Sequence, residues 1–103
     1  MSSTSEPVHL SNNHRDTLLK IFQHPSSHNI EWQAVLSLLG AAGSVEELHD
    51  GKFRVSVGNE TETFTRPKHK DIEVQQIVDL RRMLTSAGYD AVVKELEEQG
   101  KED

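Results

Sequence analysis

Apolar residues recur along this chain in two rhythms, and the changes of rhythm divide it into elements. Between His14 and Gln23, Leu18, Ile21 and Phe22 fall three and four apart, the spacing of a helix with one buried face. Asn12 or Asn13 stands where a cap belongs, Asp16 precedes Lys20 by four, and Pro25 marks the stop. A second helical run follows, with Asn29 as its cap, Trp32, Val35, Leu36 and Leu39 on its inner face, and Gly40 at its end.

The period then shortens to two. Ser44 to His49 reads as a short strand, and Lys52 to Val57 alternates strictly. Phe53, Val55 and Val57 face one way, and Lys52, Arg54 and Ser56 face the other. The dipeptides on either side, Asp50-Gly51 and Gly58-Asn59, are hairpin-turn pairs. Thr61 to Thr65 forms a third strand, with Phe64 and Glu62 inward. After Arg66-Pro-Lys-His-Lys70 the helical period returns from Asp71 to Ala87, offering Val74, Ile77, Val78, Leu80 and Leu84 to the sheet before Gly88. Asp90 caps a last helix carrying Val92, Val93 and Leu96, which ends near Gly100. The order α-α-β-β-β-α-α predicts an α+β two-layer sandwich, a three-stranded antiparallel sheet with helices on one face.

Length and charge narrow the picture. The 103 residues suit one small core, and the pattern places a single domain over residues 13–98, between disordered tails at 1–12 and 99–103. No apolar run is long enough to span a membrane, so no membrane partner is expected. With no cysteine the chain has neither a disulfide framework nor a thiolate metal site, which leans towards the cytoplasm. The net charge of −6 speaks against tight non-specific nucleic-acid binding. From Asp90 onward, however, six acids and two bases give a net of −4, while Asp50 to Tyr89 holds seven bases and six acids, a net of +1. A local positive face is compatible with that distribution.

The chemistry concentrates at one corner. Arg66, Lys68, His69 and Lys70 crowd the end of the third strand, where a helix N-terminus would add free N–H groups that favour phosphate. Lys52 and Arg54 extend the same patch along the outer face of the second strand. Arg81 and Arg82 read as structural, the latter within reach of Asp79. His24 and His28 have a two-ligand spacing but no nearby carboxylate or thiolate, so no metal and no cofactor is expected. Trp32, on an apolar helical face, reads as a core anchor.

The order of these motifs resembles the HicA family of bacterial toxin-like proteins. The likeness rests on His14-Arg15-Asp16-Thr17-Leu18 with Ile21-Phe22, and on Asn29-Ile30-Glu31-Trp32 leading a helix to Leu39-Gly40. It continues through Lys52 to Val57, Phe64-Thr65-Arg66-Pro67 and Lys70-Asp71, and closes on Ile77 to Leu84 and Ala87-Gly88-Tyr89. The resemblance implies a fold similar to double-stranded-RNA-binding domains, cleavage of messenger RNA, and a HicB-like antitoxin partner. Active members carry a histidine just after a Gly-Ser at the start of the second strand. Here the turn reads His49-Asp50-Gly51-Lys52-Phe53, which sets Lys52 at that position or one residue from it. A lysine ammonium keeps its proton at neutral pH and does not act as a general base, though it can hold a phosphate. The expectation is therefore an RNA-binding domain with lost or weakened ribonuclease activity, its RNA-binding residues being Lys52, Arg54, Arg66, Lys68, His69 and Lys70. An active ribonuclease using His49 or His69 is the alternative, and a protein-interaction module without RNA is a further one.

Overall fold

The computed structural model describes residues 10–23 and 29–101, with side chains to residue 99. Its elements are α1 (Asn12–Phe22), α2 (Trp32–Ala42), β1 (Ser44–Glu47), β2 (Lys52–Val57), β3 (Glu60–Thr65), α3 (Val74–Ser86) and α4 (Tyr89–Lys101). The strands form an antiparallel sheet in the order β1-β2-β3. The helices lie on one face of that sheet, so the chain is an α+β two-layer sandwich. None of the described helices is long and apolar enough to cross a membrane.

Phe53, Val55 and Val57 on β2 and Phe64 on β3 point into the layer between sheet and helices and are buried. They meet Trp32, Val35, Leu38 and Leu39 of α2, Leu18 and Ile21 of α1, and the inner faces of α3 and α4. Trp32 meets Phe53 edge-on, with centroids 5.4 Å apart, which confirms it as a core anchor. Both hairpin dipeptides are turns. Asp50 and Gly51 have φ of 60° and 73°, and Gly58 has 61°, left-handed values that Gly adopts without strain and Asp tolerates.

Several boundaries differ from expectation, each for a local reason. Leu10, the first described residue, is 1% exposed and part of the core, and α1 is capped by Ser11, not Asn12 or Asn13. The Ser11 hydroxyl accepts from His14 N–H at 3.2 Å, while His14 Nδ1 accepts from Ser11 N–H at 3.4 Å. Helix α1 ends at Phe22, and Pro25 lies outside the described residues, as do His24 and His28.

Helix α2 is capped at Glu31 rather than Asn29 and runs through Gly40 to Ala42. Its stop is Gly43, where a Cβ would run into the Ser56 carbonyl oxygen. Leu38 is buried where Leu36 was expected and Leu36 is half-buried, because the helix turns its face towards β2. Strand β1 stops at Glu47 instead of His49, since the turn to β2 has begun by then.

Helix α3 starts at Val74, three residues later than its sequence pattern indicates. Asp71 instead bridges to Glu31, with Trp32 N–H donating to Lys70 O at 2.9 Å and Ile72 N–H to Ile30 O at 2.9 Å. The helix buries Ile77, Leu80, Met83 and Leu84 and leaves Val74 and Val78 57% and 43% exposed. Helix α4 takes in Tyr89, buried, and continues to Lys101.

Candidate nucleic-acid interface

Strand register decides which of the charged residues share a surface. Facing residues across β2 and β3 are Lys52 and Thr65, Arg54 and Thr63, Ser56 and Thr61. Across β1 and β2, Glu46 faces Arg54 and Ser44 faces Ser56. The helix-free face of the sheet therefore carries two cations, one acid and a field of hydroxyls. Ser56 Oγ and Thr61 Oγ1 are hydrogen-bonded at 3.0 Å. Arg54 Nη1 lies 3.0 Å from Glu46 Oε1, an exposed pair across β1 and β2. Lys52 has no ion-pair partner among the described residues and stands free at the end of the same face.

Arg66 belongs elsewhere. It follows the outward Thr65, so it turns to the helix side, where its guanidinium sits over the Phe53 ring at 5.5 Å and pairs with Glu47 at 3.5 Å. Trp32, Phe53 and Arg66 thus form a chain of ring and cation contacts that closes one end of the core. Its role is structural before it is anything else.

Lys68, His69 and Lys70 are exposed on the segment that leaves the sheet beyond the buried Pro67. Lys70 reaches Glu31 at 3.8 Å, while Lys68 is unpaired among the described residues. The expected meeting of these cations with free N–H groups at a helix start is not present. At the start of α3, Glu73 N–H donates to Gln76 Oε1 at 2.9 Å, and Gln76 Nε2 donates to Thr65 O at 2.7 Å. With Glu73 and Asp71 adjoining, that helix end is capped by its own side chains and flanked by acid.

The six candidates thus separate into three groups: Lys52 and Arg54 on the open face, Arg66 against the core, and Lys68, His69 and Lys70 on the exit segment. His49 is exposed at the β1–β2 turn, and neither it nor His69 is hydrogen-bonded to another side chain among the described residues. Arg81 and Arg82 are structural. Arg81 donates from Nε and Nη2 to Ile21 O, at 3.1 and 3.0 Å, closing the carboxyl end of α1. Arg82 pairs with Glu62 at 3.3 Å and with Asp79 at 3.5 Å.

One arrangement was not legible in the sequence. His14 Nε2 lies 2.8 Å from Ser37 Oγ beside a cleft of about 460 Å³ between α1 and α2. The pair has the look of a base and its nucleophile, but the tautomer argues otherwise. Nδ1 accepts the Ser11 N–H, so the ring proton sits on Nε2 and His14 donates to Ser37. The contact fastens α1 to α2. Only the Ser11-x-x-His14 spacing foreshadows it, because nothing local links residue 14 to residue 37.

Comparison with models of protein families, with curated proteins and with solved structures finds no match to this chain.

Proposed function

We propose that the chain is a HicA-like RNA-binding domain whose ribonuclease activity is lost or much weakened. The observation that carries this reading is the helix-free face of the sheet, an open polar surface bearing Lys52 and Arg54 among threonine and serine hydroxyls. Cations contact phosphate, and hydroxyls add hydrogen bonds to phosphate and 2′-OH groups without demanding a base sequence. Lys68 and Lys70, exposed beyond β3, extend the cationic surface past its end. Arg66 contributes less, because its guanidinium is engaged by Phe53 and Glu47.

Weakened catalysis follows from the same residues. Lys52 stands at or beside the position of the family's histidine, and among the described residues His49 and His69 have no orienting side-chain hydrogen bond. A HicB-like protein is the partner the resemblance implies.

With two unpaired cations, Lys52 and Lys68, affinity for single-stranded RNA should fall roughly 7-fold between 50 and 200 mM salt. A titration with a structured RNA and a single-stranded one, followed by backbone amide shifts, tests the reading. Salt-sensitive shifts are expected at Lys52 to Arg54, Thr61 to Thr65 and Lys68 to Lys70, and they should vanish in Lys52→Glu/Lys68→Glu. No shifts at low salt would sink the RNA reading. RNA cleavage removed by His49→Ala or His69→Ala would overturn the loss of catalysis alone.

A further inference from the structure

The chain has five aromatic residues, and all five lie in or against its core. Phe53 and Phe64, the two on the sheet, point inward and are buried. Trp32 and Tyr89 are buried as well, and Phe22 packs against the core from α1. The open face of the sheet therefore carries no such ring. Its outward positions hold serine and threonine hydroxyls, Lys52, Arg54 and Glu46.

That absence discriminates between two forms of RNA. Proteins hold single strands by stacking splayed bases on aromatic side chains or on guanidinium planes. Neither support is offered here. Arg54 is paired with Glu46, and the Arg66 guanidinium lies over Phe53, away from the open face. His49 and His69 are exposed, but on the β1–β2 turn and the exit segment.

What the face does offer suits a backbone. Thr63 and Thr65 are exposed, and their hydroxyls make no hydrogen bond among the described residues. Side chains this short reach only groups displayed at a surface. An A-form duplex displays them, because its minor groove is wide, shallow and lined by 2′-OH groups. The placement of charge agrees. Lys52 is opposite Thr65, the last residue of β3, and Lys68 follows Thr65 by three. Both unpaired cations thus lie at one end of the face, and hydroxyls fill the rest. A phosphate line at the end and 2′-OH groups across the middle would meet that order.

Resting on the RNA reading above, we infer that the open face takes the backbone of an RNA duplex across its minor groove, and that single strands are its weaker ligands. The inference concerns the form of the RNA and not its sequence.

Titration of the full chain with an RNA duplex, with each of its strands alone and with the DNA duplex of the same sequence tests this. At 50 mM salt the RNA duplex should bind about tenfold or more tighter than either strand, which lacks a stacking platform here. The DNA duplex, without 2′-OH groups, should bind more weakly than the RNA duplex. Affinity for the RNA duplex should fall about 12-fold between 50 and 200 mM salt, with Lys52 and Lys68 as the two phosphate contacts. Thr63→Tyr supplies the missing ring at an exposed strand position that suits it. With an unchanged circular dichroism spectrum, it should raise single-strand affinity about fivefold or more and bring no gain for the duplex.

Single strands bound as tightly as the RNA duplex, or the DNA duplex bound equally well, would overturn the inference and leave the RNA reading standing. Duplex-induced amide shifts that avoid both Lys52 to Arg54 and Thr61 to Thr65 would overturn it too. No binding of any of these probes at low salt would overturn both readings.

Discussion

At the scale of single residues, the contrast between Lys52 and Arg54 is the most useful one. Both lie on the open sheet face, but Arg54 is paired with Glu46 and Lys52 is not. An exposed pair of this kind contributes about 0–1 kcal/mol to stability, so Glu46→Gln should leave the unfolding midpoint nearly unchanged. It should also release Arg54 and remove a negative charge from the face. RNA affinity at low salt should then increase, and the salt dependence should steepen, in a filter-binding or fluorescence titration; equal or weaker binding would separate Arg54 from the site. Gly43 makes the opposite point. A Cβ at this position would run into the Ser56 carbonyl, so Gly43→Ala should cost on the order of 1–3 kcal/mol in urea unfolding. The alternation of Lys52, Arg54 and Ser56 was readable from the chain because period two leaves one choice of face. The need for Gly43 was not, because it arises from Ser56 on a strand, thirteen residues further on, and the sequence pattern pointed to Gly40 instead.

At the scale of elements, α1 and α3 show how tertiary contacts override a helical pattern. Helix α1 is held at one end by the reciprocal Ser11–His14 bonds and at the other by Arg81, which reaches from α3 to Ile21 O. Ser11→Ala should cost about 1 kcal/mol, the usual worth of such a cap, measured by thermal or urea unfolding. On α3, the apolar residues form a stripe wider than the space available. Ile77→Ala should cost about 2–5 kcal/mol, whereas Val78→Lys should stay within about 0.5 kcal/mol of wild type. A reversal of that order would mean the helix face is wrongly assigned. Periodicity located this helix but gave too wide an inner face. Val74 and Val78 sit at helical spacing with Ile77, and only the positions of α1 and β3 show which residues are left outside. The start of α3 departs from the sequence pattern for a related reason. Residues 70–72 have a partner strand-like segment at 30–32, a long-range pairing that local pattern does not reveal.

At the scale of the whole molecule, the sequence pattern was sufficient for the layer architecture and the turn types, since these follow from period and from Gly and Asn/Asp placement. It was insufficient for the site, because six candidate residues close together in sequence turned out to occupy three different surroundings. The strand-like contact between Glu31 and Asp71 has a kinetic consequence. The hairpins β1–β2 and β2–β3 join near neighbours and can form early, but this bridge closes a separation of forty positions, 31 to 71, and its loop entropy must be met before it returns any contact. The sheet should therefore be organised while α1 and α2 are still docking. Pulse-labelling hydrogen exchange during refolding should protect the Val55 and Phe64 amides before those of Trp32 and Ile72. In the native state the same two late amides should open first, which makes the junction between the α2 start and the segment leaving β3 the place where the fold begins to come apart.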